Sequence, residues 1–297
     1  MADTRCGFIA IVGEPNAGKS TLINRLVGGK VSIVTPKAQT TRFNVRGVCA
    51  QEEAQMIFVD TPGIFAAGKR FEKAMVQAAW GGIGDADAVL MLIDARQGLR
   101  NTALQVMEKL KGAKKPVFLA INKIDAVKKA MLLELAQACN AQGVFERIFM
   151  ISALKGDGVE DIKTALAGHM PHGPWLYPAE QMSDISLRLL AAEVTREKVF
   201  LLLEKELPYA AFVETEAWEE GKTSVNISQA ITVQREGQKK IILGAKGDMI
   251  KRIGTSARRE LETILGKRVH LELFVKVRAG WKDDIESYRL LGLEFRK

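Results

Sequence analysis

The stretch Gly13-Glu14-Pro15-Asn16-Ala17-Gly18-Lys19-Ser20 sets two glycines, a lysine and a serine at the Walker A spacing. That spacing does phosphate chemistry. Backbone N–H groups of such a loop wrap a β-phosphate, and the helix that follows adds its N-terminal dipole. Lys19 is expected to bridge the β- and γ-phosphates and Ser20 to ligate Mg²⁺, with Thr21 next in the first helical turn. Gly13 and Gly18 allow a close approach that a Cβ would block. This motif alone does not separate ATP from GTP.

The separation comes from Asn122-Lys123-Ile124-Asp125, which ends a buried apolar run. The Asp125 carboxylate can accept from both guanine N1–H and the exocyclic amine. Adenine has no donor at those two positions and would leave the carboxylate unpaired. Ser152-Ala153-Leu154 is placed to offer a backbone N–H to guanine O6. In Asp60-Thr61-Pro62-Gly63, Asp60 is expected to hold Mg²⁺ through water and the Gly63 N–H to sense the γ-phosphate. A switch loop at Gln39-Thr40-Thr41-Arg42 should close a threonine onto Mg²⁺, with Thr41 favoured over Thr40. Lys19, Thr41 and Gly63 are thus the expected catalytic group.

One position departs from the usual hydrolytic set. Ras-like GTPases carry a water-orienting glutamine after the switch glycine, and this chain has Ile64. Slow intrinsic hydrolysis is expected, helped by a partner or a cation. Asn16 resembles the loop asparagine of potassium-stimulated GTPases, so K⁺ is a candidate ligand there; a plain turn-forming role is equally open.

The elements that must position these residues read as alternating β and α. Strands are expected at 8–13, 43–50, 56–60, 89–94, 117–122 and 148–151, and helices at 19–27, 72–80, 102–111, 129–142 and 159–169. This predicts an α/β doubly wound P-loop domain over 1–170. Residues 171–184, rich in proline, read as a linker. Over 185–297 a smaller α+β domain is expected: a helix at 185–207, strands at 209–219 and 223–236, helices at 238–243 and 248–265, and a strand at 268–277.

Within that second domain, Ile242-Leu243-Gly244-Ala245-Lys246-Gly247-Asp248-Met249-Ile250 joins two helices through G-x-x-G. Together with the helix–strand–strand–helix–helix–strand order it matches the type II KH pattern, a single-stranded RNA binder. Lys239, Lys240, Gly244, Ala245, Lys246, Gly247 and Lys251 are the candidate RNA residues. Between Arg235 and Lys282 stand thirteen basic and five acidic residues, so the whole net charge of +8 lies in that stretch. A local basic excess suits a polyanion, nucleic acid or an anionic membrane surface; a solvated face is the bland alternative. Trp281 and a helix at 283–291 either extend this site or cap the fold, with capping favoured.

Composition excludes other classes. At 47% hydrophobic and 26% charged, the 297 residues read as globular rather than disordered. No apolar run reaches the ~18 residues of a membrane span, and the N-terminus runs straight into a strand, leaving no expectation of a signal peptide. Cys6, Cys49 and Cys139 and the histidines make no metal spacing, so reduced thiols and no structural zinc are expected.

With both halves in view, GEPNAGKS, QTTR, DTPG, NKID, SAL and GAKG, and the segments ELPYA and VKVRAGW, resemble the Era family of bacterial GTPases over essentially the full length. The resemblance implies GTP/GDP with Mg²⁺, a KH domain gripping the 3′ end of 16S rRNA, and a part in small ribosomal subunit assembly. It also implies cytoplasmic location with peripheral inner-membrane association, and a monomer is expected. Two rivals remain: a signalling or membrane-associated GTPase whose KH-like part binds protein, and a tRNA-modification GTPase. Against the latter stand the missing helical insertion and the missing terminal cysteine.

Overall fold

The computed structural model describes residues 4–37, 40–65, 68, 70–281 and 284. Gln39 and the expected helix at 283–291, except Asp284, lie outside the described residues. The chain divides into two compact units that part between Asp184 and Ile185.

In the first unit the apolar runs become a six-stranded sheet. Its strands are β1 (Arg5–Gly13), β2 (Val45–Gln51), β3 (Ala54–Asp60), β4 (Ala88–Asp94), β5 (Val117–Asn122) and β6 (Arg147–Ile151). The order is β2-β3-β1-β4-β5-β6, and only β2 runs antiparallel to its neighbour. Five helices accompany them: α1 (Lys19–Val27), α2 (Arg70–Asp85), α3 (Asn101–Leu110), α4 (Lys129–Asn140) and α5 (Val159–Ala167). Alternate residues of each strand feed opposite faces. Ile9, Ile11, Leu90, Leu92 and Phe118 pack with Leu22, Leu26, Ile162 and Leu166 of α1 and α5. Ala10, Val12, Met91, Ile93 and Leu119 pack with Ala79, Val106, Met107 and Leu132 of α2, α3 and α4. Burial on both faces explains why these strands read as continuous apolar runs.

The segment 171–184, expected as a linker, is tied along this unit. Cys6 N–H donates to Pro171 O and Gly173 N–H to Thr4 O, each at 3.0 Å. Gln55 Oε1 accepts from Leu176 and Tyr177 N–H at 2.8 and 3.0 Å, and its Nε2 donates to Tyr177 O at 2.7 Å. Val48 N–H donates to Met182 O at 2.8 Å, so the edge strand β2 has a partner on its outer side.

The second unit contains α6 (Leu187–Leu202), α7 (Leu207–Ala210), β7 (Phe212–Glu220), β8 (Ser224–Val233), α8 (Glu236–Leu243), α9 (Asp248–Leu265) and β9 (Arg268–Val277). The sheet order is β7-β8-β9, with β7 antiparallel and β9 parallel to β8. The single helix expected over 185–207 is instead two. Leu203 is extended, Lys205 takes a left-handed φ of 54°, and Pro208 opens the short α7. A proline is at home in a first turn and cannot continue a helix from behind. Tyr209–Ala211 accordingly precede the strand expected there. Ala192, Val199, Ile231, Val233, Ile242, Ile253 and Val275 make one core.

Trp281 caps this unit. It is 1% exposed, its indole N–H donates to Ala210 O at 2.8 Å, and its ring sits 5.4 Å from that of Phe212. Trp281→Ala should cost about 3–5 kcal/mol in denaturant unfolding of this unit. Trp281→Phe should cost nearer ~1–2 kcal/mol, the price of the orphaned Ala210 carbonyl. Equal losses in the two variants would contradict the packing argument.

Candidate functional site

The parallel strands end together on one edge of the sheet, and the predicted chemistry collects there. The loop after β1 turns through Gly13 at φ 149°, Asn16 at 65° and Gly18 at 99°. A Cβ on Gly13 would lie 2.4 Å from Leu92 O, and one on Gly18 would lie 2.2 Å from Asn122 Nδ2. Both glycines are therefore required by space as well as by conformation. Lys19 opens α1 and is 6% exposed; its Nζ donates to Gly13 O at 3.1 Å and Glu14 O at 3.0 Å. Burial lowers the Lys19 pKa to about 8, against the attraction of Asp60 and Glu14. Ala17 is buried within the same loop, Pro15 is partly buried, and Thr21 lies in the first turn of α1.

Asp60, at the end of β3, has no exposed surface. Its Oδ2 accepts from Ser20 at 2.9 Å, Ser32 at 2.8 Å and Thr41 at 3.2 Å, and Ser20 Oγ lies 3.0 Å from Thr41 Oγ1. Its Oδ1 is buried with no hydrogen-bond partner among the described residues. Burial raises the carboxyl's pKa against Lys19 and the three hydroxyls. A buried carboxylate with one unsatisfied oxygen, ringed by hydroxyls, is a fit place for a hard cation that prefers oxygen ligands. Thr41, not Thr40, reaches this cluster; the Thr40 hydroxyl donates to Lys37 O. Thr61 Oγ1 donates to Ile11 O at 2.8 Å, and Pro62 and Gly63 are buried after it. A Cβ on Gly63 would meet Pro15 at 3.1 Å, and Ile64 N–H donates to Gly13 O at 3.1 Å. The DTPG segment thus lies directly against the phosphate loop.

Asn122 closes β5 and joins three segments. Its Nδ2 donates to Ala17 O at 2.8 Å, and its Oδ1 accepts from Lys123 N–H at 2.8 Å and Ala153 N–H at 2.9 Å. Lys123 has a φ of 68°, and its Nζ donates to Asn16 O at 2.6 Å and Asp94 Oδ2 at 2.8 Å. Asp125 is exposed; a hydrogen bond from Ser152 holds its carboxyl below the ordinary range. Arg25 on α1 donates to Ala153 O at 3.4 Å and Leu154 O at 2.5 Å, supporting that loop from beneath.

Sequence reasoning missed Ser32, Asn24, Arg25 and Asp94. Asn24 Oδ1 accepts from Val31 and Ser32 N–H, each at 2.9 Å, so α1 itself fixes the serine that reaches Asp60. Only Asp94 carried a signal: a carboxylate ending the apolar run Val89–Ile93.

In the second unit, α8 and α9 meet through a single 3₁₀ turn, Ala245–Gly247. Gly244 has φ 73° and ψ 175°, and a Cβ there would fall 2.7 Å from Met249 N. Lys246 and Gly247 have φ 53° and 81°, and Gly247 is the N-cap of α9. Ile242 and Ile253 anchor the two helices in the core. Lys240, Ala245, Lys246 and Lys251 are exposed around the turn, and Lys239 is partly buried. Backbone N–H groups at a helix start, with lysines about them and no side chain in the way, are suited to phosphate.

A family model described as 50S ribosome-binding GTPase matches residues 8–123, and a KH domain model matches residues 206–282. GTPase Era of Sinorhizobium medicae is 55% identical over 99% of this chain and 95% of that protein. The Era of Mesorhizobium japonicum is also 55% identical, over 98% and 94%. A crystal structure of Era in complex with MgGDPNP and nucleotides 1506–1542 of 16S ribosomal RNA matches with a TM-score of 0.92 at 41% identity. That match covers 97% of this chain and 99% of the other. An Aquifex aeolicus Era variant bound to GDP and aluminium fluoride matches with the same TM-score, identity and coverage. A phosphate loop, an Asn122-Lys123-Ile124-Asp125 strand end and a G-x-x-G helix pair therefore stand in a chain that belongs to the Era family, GTPases that carry a KH domain after their P-loop domain.

Proposed function

We propose that this GTPase uses its KH domain to hold the single-stranded 3′ region of 16S rRNA during small-subunit assembly in the cytoplasm, with the bound nucleotide setting the grip. The observation that carries the reading is the 0.92 match, spanning both units, to an Era that holds MgGDPNP and 16S rRNA nucleotides at once.

At the nucleotide, Lys19 supplies a buried positive charge for the β- and γ-phosphates, and the N–H groups of the glycine-flanked loop surround the former. Asp125 accepts from guanine N1–H and the amine, and the Ser152-Ala153-Leu154 segment, held by Asn122 through the Ala153 N–H and by Arg25 through two carbonyls, offers a further backbone N–H to O6. Ser20, Thr41 and Asp60 would hold Mg²⁺. When bound, that ion neutralises charge on the phosphate oxygens. Thr41, through the ion, and Gly63, through its N–H, would then sense the γ-phosphate. Ile64 cannot orient water, so hydrolysis is slow until RNA or a cation assists. Asn16 is exposed at a left-handed φ, which makes it both a competent turn former and a reachable K⁺ ligand. On the RNA side, Lys239, Lys240, Lys246 and Lys251 meet phosphates while Gly244, Ala245 and Gly247 let the RNA backbone lie close.

Hydrolysis is to be measured with and without the 3′-terminal rRNA segment, in K⁺ and in Na⁺, for the chain and for Asn16→Ala. Stimulation by RNA is expected, as is a K⁺ preference lost in the variant. RNA affinity should be several-fold higher with GDPNP than with GDP. It should fall with salt by about 0.7 log units per log unit for each phosphate engaged. Equal affinities in the two nucleotide states would remove the coupling, and salt-insensitive binding would point to a protein partner instead.

Nucleotide affinity should also depend on pH through Lys19. The free chain holds this lysine at about 8, and phosphates beside it favour the ammonium form. Binding therefore takes up a proton above that pH, and GDP affinity should weaken from pH 8 to 9 by up to about tenfold. Calorimetric titration checks this, and Lys19→Met should bind weakly with no such slope.

A further inference from the structure

Asp94 ends β4 directly beside Asn122 in the strand register and is 3% exposed. Nothing in the nucleotide chemistry above uses it. Its carboxylate nonetheless holds two cations. Arg96 donates through Nε to Oδ1 at 3.0 Å and through Nη2 to Oδ2 at 2.7 Å, and its backbone N–H donates to Oδ1 at 3.0 Å. Lys123 donates to Oδ2 at 2.8 Å while also donating to Asn16 O of the phosphate loop at 2.6 Å.

Lys123 has a long flexible stem and three donors, so a single carbonyl does not fix it. The buried carboxylate supplies the second anchor. Burial alone would raise the Asp94 pKa, but the hydrogen bonds from Arg96 and Lys123 bring it down to about 2, so the anchor stays charged at any working pH. Lys123 is 25% exposed and Arg96 51%. The lysine is therefore the enclosed partner of the carboxylate, and the arginine covers it from the solvent side.

We propose that Asp94 is a positioning residue for guanine-nucleotide binding: by clamping Lys123 onto the Asn16 carbonyl, it locks the base-reading loop to the phosphate loop. Because none of these contacts involves the switch residues Thr41 or Gly63, the clamp acts equally on GDP and GTP. The inference rests on the guanine-site reading. Binding of labelled GDP by the unmodified chain tests that reading separately.

The experiment measures release of fluorescent GDP and fluorescent GDPNP from the full chain. Asp94→Asn keeps the shape and removes the charge. It should speed release of both nucleotides by about tenfold, the worth of a charge-assisted hydrogen bond. The loss should appear in KM rather than kcat. In a Lys123→Met background the same change should add less than about twofold, because coupled residues are not additive. Arg96→Ala, which leaves Asp94 its lysine, should change release by less than about twofold, as expected of a half-exposed pair. Thermal unfolding without nucleotide checks the fold, and Asp94→Ser replaces Asp94→Asn if the latter does not fold. Unchanged release in the folded variant, full additivity with Lys123→Met, an effect on only one nucleotide, or an Arg96→Ala loss as large as that of Asp94→Asn would each overturn the proposal.

Discussion

The nucleotide site depends on one buried amide. Asn122 gives its Nδ2 hydrogen to the phosphate loop and takes N–H groups from its own loop and from the segment after β6. Ala17 and Ala153 are each 1% exposed, so the carbonyl of the one and the N–H of the other cannot turn to water if the side chain is lost. Each orphaned partner would cost about 1–3 kcal/mol, well above the ~1 kcal/mol that a hydrogen bond contributes when both ends can solvate. The amide can be there because parallel pairing sets Asn122 level with Asp94 on one side and Ile151 on the other. Gly18 follows from the same constraint, since a Cβ at that position would strike the amide.

A second constraint is electrical. Asp60 and Lys19 are both buried, and burial works against the charge of each, raising the one pKa and lowering the other. Their mutual attraction offsets only part of that penalty. Three hydroxyls and two loop carbonyls take up more, yet Asp60 Oδ1 still lacks a partner among the described residues. Such a site makes no sense as a device for stability. It makes sense as a place already organised for phosphate and a cation, where the charges later find their partners without reorganising. The two apolar layers on either face of the sheet must offset that cost, which is why its central strands are so thoroughly apolar.

The strand ends at Gly13, Asp60 and Asn122 were legible in the sequence because a buried parallel strand is a run of apolar residues that stops abruptly at a glycine or a polar residue. The G-x-x-G joint was legible for a similar local reason: two glycines interrupt two helical patterns. What escaped depends on distant partners. Gln55 looks like an ordinary strand residue until the backbone at 176–177 arrives against it. Ser32 gains its meaning only through Asn24 behind it and Asp60 beneath it. The break at Leu203 is a smaller lesson. The apolar periodicity carries on past it, and Pro208 reads as the break between that helix and a following strand rather than the start of a new turn.

Ile64 shows how the two constraints meet. Its N–H bonds to Gly13 O, and its side chain is 7% exposed in the core that holds Ala10, Val12 and Met91. The position where a glutamine could orient water is thus spent on anchoring the DTPG segment to the sheet. A polar side chain there would have to leave that core, at about the 1.5–3 kcal/mol that burying an aliphatic side chain contributes. The fold therefore gains a firmly seated Gly63 and gives up a built-in means of activating water. Under the proposed function, a firmly seated Gly63 with poor hydrolysis would give a long-lived GTP state. A long-lived state is useful only if something outside the P-loop domain ends it. Under the proposed function such a signal would enter through the G-x-x-G stretch between Arg235 and Lys282, whose thirteen basic and five acidic residues equal the whole net charge of the chain.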